Sequence, residues 1–168
     1  MMDDVPMDET EKKIVNSLFS CANDLIRERI TDTPTWTARM MMTLQGLGRG
    51  EERGFIVRWS GSKSEWLWDL TWLKGEIAEN GFGGVALACE IEWYDGDKER
   101  VFDFLKLTAC DCDHRLFVFW VTDGTKLEPA FNKLKLASQA VVNRRYLAVG
   151  FADTCGPQDQ ASRTWEVK

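Results

Sequence analysis

The run Leu116-Phe117-Val118-Phe119-Trp120-Val121 constrains the fold most. An unbroken apolar segment of strand length suits a strand covered on both faces; a strand with one face in water would alternate. Such a strand sits inside a sheet with helices packed above and below it. The flanking sequence supplies both kinds of element. Ile14, Val15, Leu18, Phe19, Ala22, Leu25 and Ile26 repeat at helical spacing, and Asp8-Glu9-Thr10-Glu11 has the form of a helix cap. Thr31-Asp32-Thr33-Pro34 breaks that helix.

Phe55–Trp59, Glu65–Leu73 and Val85–Trp93 read as three strands joined as an antiparallel meander. Residues 98–110 read as a helix, whose crossover sets the Leu116 strand parallel to a neighbour. Glu128-Pro129 opens a further helix through Val141, and Tyr146–Phe151 forms another strand. Residues 36–46 allow a short helix, and Gly46-Leu47-Gly48-Arg49-Gly50 reads as a flexible loop. The expected fold is α/β: a single-domain mixed β-sheet flanked by helices, in the order α-β-β-β-α-β-α-β. One domain spans 1–168, with a core at 8–151 and tails at 1–7 and 155–168.

A chain of 168 residues with 44% hydrophobic content and eight tryptophans is large enough for a proper core. No stretch approaches a membrane span, and the N-terminus lacks a basic start followed by an apolar segment, so a cytoplasmic location is expected. Cys21, Cys89, Cys110, Cys112 and Cys155 are odd in number and lack staple-like spacing, which favours reduced thiols. The net charge of −6 is a poor footprint for bulk electrostatic binding of nucleic acid. An acidic site neutralised by a cation is compatible with it.

The chemistry concentrates on two strands and one helix. Asp69 lies in an apolar run, and Glu90 and Glu92 share one face of the next strand because strand side chains alternate. Charges inside a sheet are costly unless paired or bound to a cation. A divalent ion such as Mg²⁺, held through carboxylates and water, would account for all three. On the following helix, Asp103 and Lys106 are three apart and share a face, from which Lys106 could reach back over the Glu90 strand. An ordinary surface pair is the plainer account of Asp103 and Lys106.

Asp69 in Leu67-Trp68-Asp69-Leu70, Glu90-Ile91-Glu92-Trp93 and Asp103-Phe104-Leu105-Lys106-Leu107 together resemble the PD-(D/E)XK (restriction-endonuclease-like) nuclease superfamily. The last motif looks like the Asp-Phe-x-Lys-Leu helix start of an uncharacterised bacterial branch. The resemblance implies a Mg²⁺- or Mn²⁺-dependent nuclease acting on nucleic acid. It implies Asp69 and Glu90 as metal ligands, with Glu92 holding metal or orienting water. Glu92 stands where the family carries its catalytic lysine. Lys106 then supplies the amine from the next helix, with Asp103 fixing its rotamer, or the site has lost catalysis and the fold serves as a binding or regulatory module. Glu11 would be an outer acidic residue, a role that helix capping explains equally well.

Other signals are weaker. Cys110-Asp111-Cys112-Asp113-His114 lacks familiar zinc spacing. Trp66, Trp68 and Trp72 are expected to pack against helices, with base stacking as the alternative. Lys126, Lys133, Lys135, Arg144 and Arg145 form the best basic supply for phosphate, or a solvated face. A homo-oligomer or a protein partner could form through the edge of the Leu116 or Tyr146 strand.

Overall fold

The computed structural model describes residues 3–50, 54–59, 68–75, 83–153 and 159–168. Its elements are α1 (Glu9–Arg27), α2 (Thr33–Gly50), β1 (Ile56–Trp59), β2 (Leu70–Leu73), β3 (Val85–Glu92), α3 (Asp97–Thr108), β4 (Cys112–Val121), α4 (Leu127–Ser138), β5 (Arg144–Ala152) and β6 (Gln160–Val167). The six strands form one open mixed sheet in sequence order. Strands β1, β2 and β3 are antiparallel, β3, β4 and β5 are parallel, and β6 returns antiparallel to β5.

The parallel pairs need crossovers, and α3 and α4 supply them on one face. Phe104, Leu107, Phe131 and Leu134 pack there against Ala88, Phe117, Phe119, Tyr146 and Ala148. On the other face α1 and α2 bury Ile14, Leu18, Leu25, Met40 and Leu44 against Leu87, Cys89, Leu116, Val118, Leu147 and Val149. The unbroken apolar run of β4 therefore feeds two cores, odd and even residues to opposite sides. Helix α1 is anchored by a capping box: Glu11 N–H donates to Asp8 Oδ1 and Asp8 N–H to Glu11 Oε2, both at 2.9 Å.

Several expectations fail for identifiable reasons. The glycine segment 46–50 is the last part of α2, not a loop. Its glycines are poor helix formers, but a Cβ at Gly48 would lie 2.7 Å from Trp72 Nε1. The Trp72 indole donates to Leu44 O at 3.1 Å, so close helix–sheet contact outweighs propensity. Nothing lies within 4 Å of a Cβ at Gly46. Gly46→Ala should therefore raise stability by about 0.5–1 kcal/mol in urea unfolding. Gly48→Ala should lower it by about 1–2 kcal/mol through overpacking.

The expected C-terminal tail instead contains β6. Trp165 is fully buried, donates its indole N–H to Ser138 Oγ at 2.9 Å and stacks on Tyr146 at 5.6 Å. Nor is the N-terminus frayed over 3–7: Asp4 bridges Trp165, and Val5 N–H donates to Thr164 O at 2.8 Å. That segment covers part of an otherwise open strand edge. The Leu116 and Tyr146 strands, expected to offer an edge for self-association, are interior, and the sheet edges are β1 and β6. The predicted strand from Glu65 begins only at Leu70; Trp68 and Asp69 form a bend, and residues 60–67 lie outside the described residues, as do 76–82, 154–158 and Cys155. Among the described residues, no helix is long and apolar enough to cross a membrane.

Candidate active site

The C-terminal half of β3 carries Glu90 and Glu92 toward the α3 face, in register with Phe117 and Phe119 of β4. Helix α3 runs back along that face. Helical side chains lean toward the helix N-terminus, so Lys106 reaches toward the end of β3. Its Nζ lies 3.0 Å from Glu90 Oε2 and 2.6 Å from Asp103 Oδ1, one turn earlier on α3. Asp69, in the bend before β2, accepts the Ile91 N–H at 2.8 Å through Oδ2. This contact ties the bend to β3 beside Glu90. Trp68 Nε1 donates to Lys106 O at 3.2 Å and ties the same bend to α3.

The expected residues lie along a chain of contacts rather than converging on one point. Asp69 adjoins Glu90 through the Ile91 amide, Glu90 pairs with Lys106, Lys106 with Asp103, and Asp103 shares a hydrogen bond with Glu92. Glu92 Oε1 also accepts the Tyr94 N–H at 2.6 Å. The arrangement differs from the expected triad of ligands: Asp69, Glu90 and Glu92 do not bring three ligand atoms within 4.8 Å of one another. The described residues that do are Asp8, Glu11 and His114.

That second group is structural. Both Glu11 oxygens accept from Arg145, at 2.8 and 2.6 Å, and Glu11 also completes the α1 cap. It lies on the α1 face of the sheet, opposite Glu90, so the outer-acidic role suggested for Glu11 does not hold. Cys110, Cys112 and His114 form no ligand group; Cys112 Sγ instead meets His114 O at 3.2 Å. Cys21, Cys89, Cys110 and Cys112 are free thiols.

Charge within the cluster is distributed unevenly. Glu90 is 2% exposed, and burial, reinforced by the Asp69 charge, lifts its pKa to about 7 although Lys106 pulls the other way. Burial also works against the Lys106 ammonium, but hydrogen bonds to Asp103 and Glu90 outweigh it and raise its pKa above the usual lysine value. Lys106 is thus a fixed cation and Glu90 the group that titrates. Burial and the hydrogen bond with Asp103 raise Glu92 to about 7. Burial would raise Asp103 too, but its bonds with Glu92 and Lys106 hold it below the ordinary aspartate range. Glu92 and Asp103 therefore share a proton near neutrality.

This distribution has a consequence for stability. Native Glu90 binds its proton more tightly than the unfolded chain does, so unfolding free energy falls as pH rises from about 4.5 to about 7. Glu92, also raised to about 7, adds a slope of the same sign over the same interval, whereas the lowered Asp103 acts only below the ordinary aspartate range. Glu90→Gln should remove about half of the slope, a change of up to about 3 kcal/mol across that interval, and leave the part due to Glu92. Urea unfolding at several pH values measures it; an unchanged slope in Glu90→Gln contradicts the assignment.

The surroundings fix this geometry. Arg100, 3% exposed, bonds Asp95 Oδ1 at 2.8 Å and Asp97 Oδ1 at 3.0 Å and braces the β3–α3 turn. Lys126 joins the brace at Asp95, 2.8 Å away. Sequence reasoning missed this brace and the Trp68 tie, although Asp95, Asp97 and Arg100 are close enough in sequence to suggest a local ion network. An open cleft of about 460 Å³ borders Glu92 and Asp103, with exposed Phe102 and Leu105 on its wall.

The basic residues expected to contact phosphate are ion-paired. Lys126 meets Asp95, Lys133 meets Asp97, Lys135 meets Asp4 at 2.7 Å, Arg144 meets Asp111 at 3.5 Å and Arg145 meets Glu11. Trp68 and Trp72 bond helices α3 and α2, which favours packing over base stacking for these two; Trp66 lies outside the described residues. No protein-family model, curated protein or solved structure matches this chain.

Proposed function

We propose that this protein is a metal-dependent phosphodiester hydrolase acting on nucleic acid, built on a PD-(D/E)XK-like core. The observation that carries the reading is the Lys106 ammonium 3.0 Å from the buried Glu90 carboxylate, at the strand end where Asp69 also arrives. It answers the main departure from the family pattern, a glutamate at the usual lysine position: the amine comes from the next helix. The run α1, then β1-β2-β3-α3-β4, supports the same reading, with α2 inserted after α1 and α4, β5 and β6 added.

The donor set fits Mg²⁺ or Mn²⁺. Asp69 and Glu90 are hard oxygen donors whose charges raise each other's cost in a buried setting, and a divalent cation relieves that cost. When bound, such an ion supplies Lewis-acid stabilisation of phosphoryl charge and a more acidic water. Asp69 and Glu90 would hold the ion. Lys106 orients the attacking water or stabilises the phosphate oxygens, and Asp103 fixes its rotamer. Glu92, with a pKa near 7, is suited to accept a proton from water on the side of the open cleft.

A second reading, a catalytically inactive binding or regulatory module, draws on the net charge of −6 and on the ion-paired state of the basic residues. Metal titration followed by cleavage assays on single- and double-stranded DNA and RNA separates the two. The hydrolase reading expects Mg²⁺- or Mn²⁺-dependent cleavage that Glu90→Gln abolishes. Full activity in Asp69→Ala contradicts it, and absence of cleavage on every substrate favours the module.

A further inference from the structure

A second cavity opens at the same end of the sheet as Glu90, on the opposite face. It measures about 380 Å³ and lies between the end of α1, the start of α2 and the ends of β4 and β5. Trp36, Trp93, Trp120 and Phe151 wall it. Trp36 meets Trp93 at 5.9 Å and 71°, and Phe151 at 6.1 Å and 63°. These are edge-to-face contacts, and the three rings line the cavity beside one another. Two indole N–H groups are engaged inside the protein: Trp36 donates to Ile30 O at 3.0 Å and Trp93 to Thr37 Oγ1 at 2.7 Å. These two residues therefore offer the cavity π surface rather than donors. All three tryptophans remain half-buried.

The polar lining is one-sided. Asp153 is exposed at the cavity and Asp159 is 7% exposed, while among the described residues no lysine, arginine or histidine lines it. An anion is repelled here, and a purely apolar ligand would strip water from the exposed Asp153 carboxylate without compensation. A hard metal ion gains nothing from indole walls. An organic ammonium satisfies both halves, because its methyl or methylene groups lie on aromatic faces while its charge is met by carboxylates.

We propose that this cavity binds a small N-methylated organic ammonium between Trp36, Trp93, Trp120 and Phe151, with Asp153 and Asp159 balancing its charge. The site is separate from the Glu90 cluster and does not depend on the hydrolase reading. Tryptophan fluorescence titrated with choline tests it. The comparison ligand is choline's uncharged isostere, in which a tert-butyl group replaces the trimethylammonium. Saturable quenching by choline is expected, with the isostere about tenfold weaker or more. Asp153→Asn, an exposed change that spares the core, should weaken choline several-fold, and Trp120→Leu should weaken it further. Circular dichroism checks that both variants are folded. Absence of a saturable response, equal affinity for the two ligands, or undiminished choline affinity in both folded variants would overturn the proposal.

Discussion

Under the proposed hydrolase function, Lys106→Ala is expected to slow phosphodiester cleavage about a thousandfold while the protein stays folded. The ammonium is the fixed cation of the cluster, 3.0 Å from Glu90 and 2.6 Å from Asp103. Its loss leaves Glu90 buried without that partner, but Glu90 already titrates near 7 and can take up a proton instead of remaining as an isolated charge. The stability loss should therefore be small below neutrality and grow above it. Lys106→Arg keeps the charge but changes its shape from a compact ammonium to a planar fork, and should recover only part of the rate. Single-turnover cleavage at saturating metal measures both variants. Wild-type rates in Lys106→Ala would assign the lysine to structure alone.

Arg145→Ala is expected to have the largest effect on stability, a loss of about 3–5 kcal/mol in urea unfolding. Arg145 donates to both oxygens of Glu11, to Glu166 Oε1 at 2.8 Å and to Pro6 O at 2.6 Å. It joins β5, β6, α1 and the N-terminal segment. Glu11 is 1% exposed, so removing Arg145 strands a buried carboxylate without its ionic partner. Combining Arg145→Ala with Glu11→Gln should recover part of the loss, because the stranded charge disappears with it. A loss below about 1 kcal/mol in the single variant would show that water reaches Glu11 freely.

The sequence was most legible where a pattern is local. The apolar run of β4 announced a strand covered on both faces, and β4 does pair inside the sheet, parallel to β3. Glu90 and Lys106 could be matched because a helix following a strand in a crossover lies back across it. Legibility failed where tertiary contacts override local preference. Three glycines at 46, 48 and 50 argue against helix, but the tight seat of Gly48 on Trp72 lies 24 residues away in sequence. Strand β6 offers only Trp165 and Val167 as a buried alternation, too short to stand out before its pairing with β5 is known. Lys135 and Arg145 looked available for phosphate because their partners, Asp4 and Glu11, lie at the far end of the chain. The aromatic cavity draws its walls from α2, the end of β3, β4 and β5, and no local motif marks it.

Isothermal titration with MnCl₂ and MgCl₂ tests the cation pocket most directly. The wild-type protein should bind one ion with proton release near neutrality, as Glu90 gives up its proton, and Asp69→Asn and Glu90→Gln should each lose that binding while remaining folded. Equal metal affinity in wild type and both variants would place any bound ion elsewhere and contradict the assignment of Asp69 and Glu90.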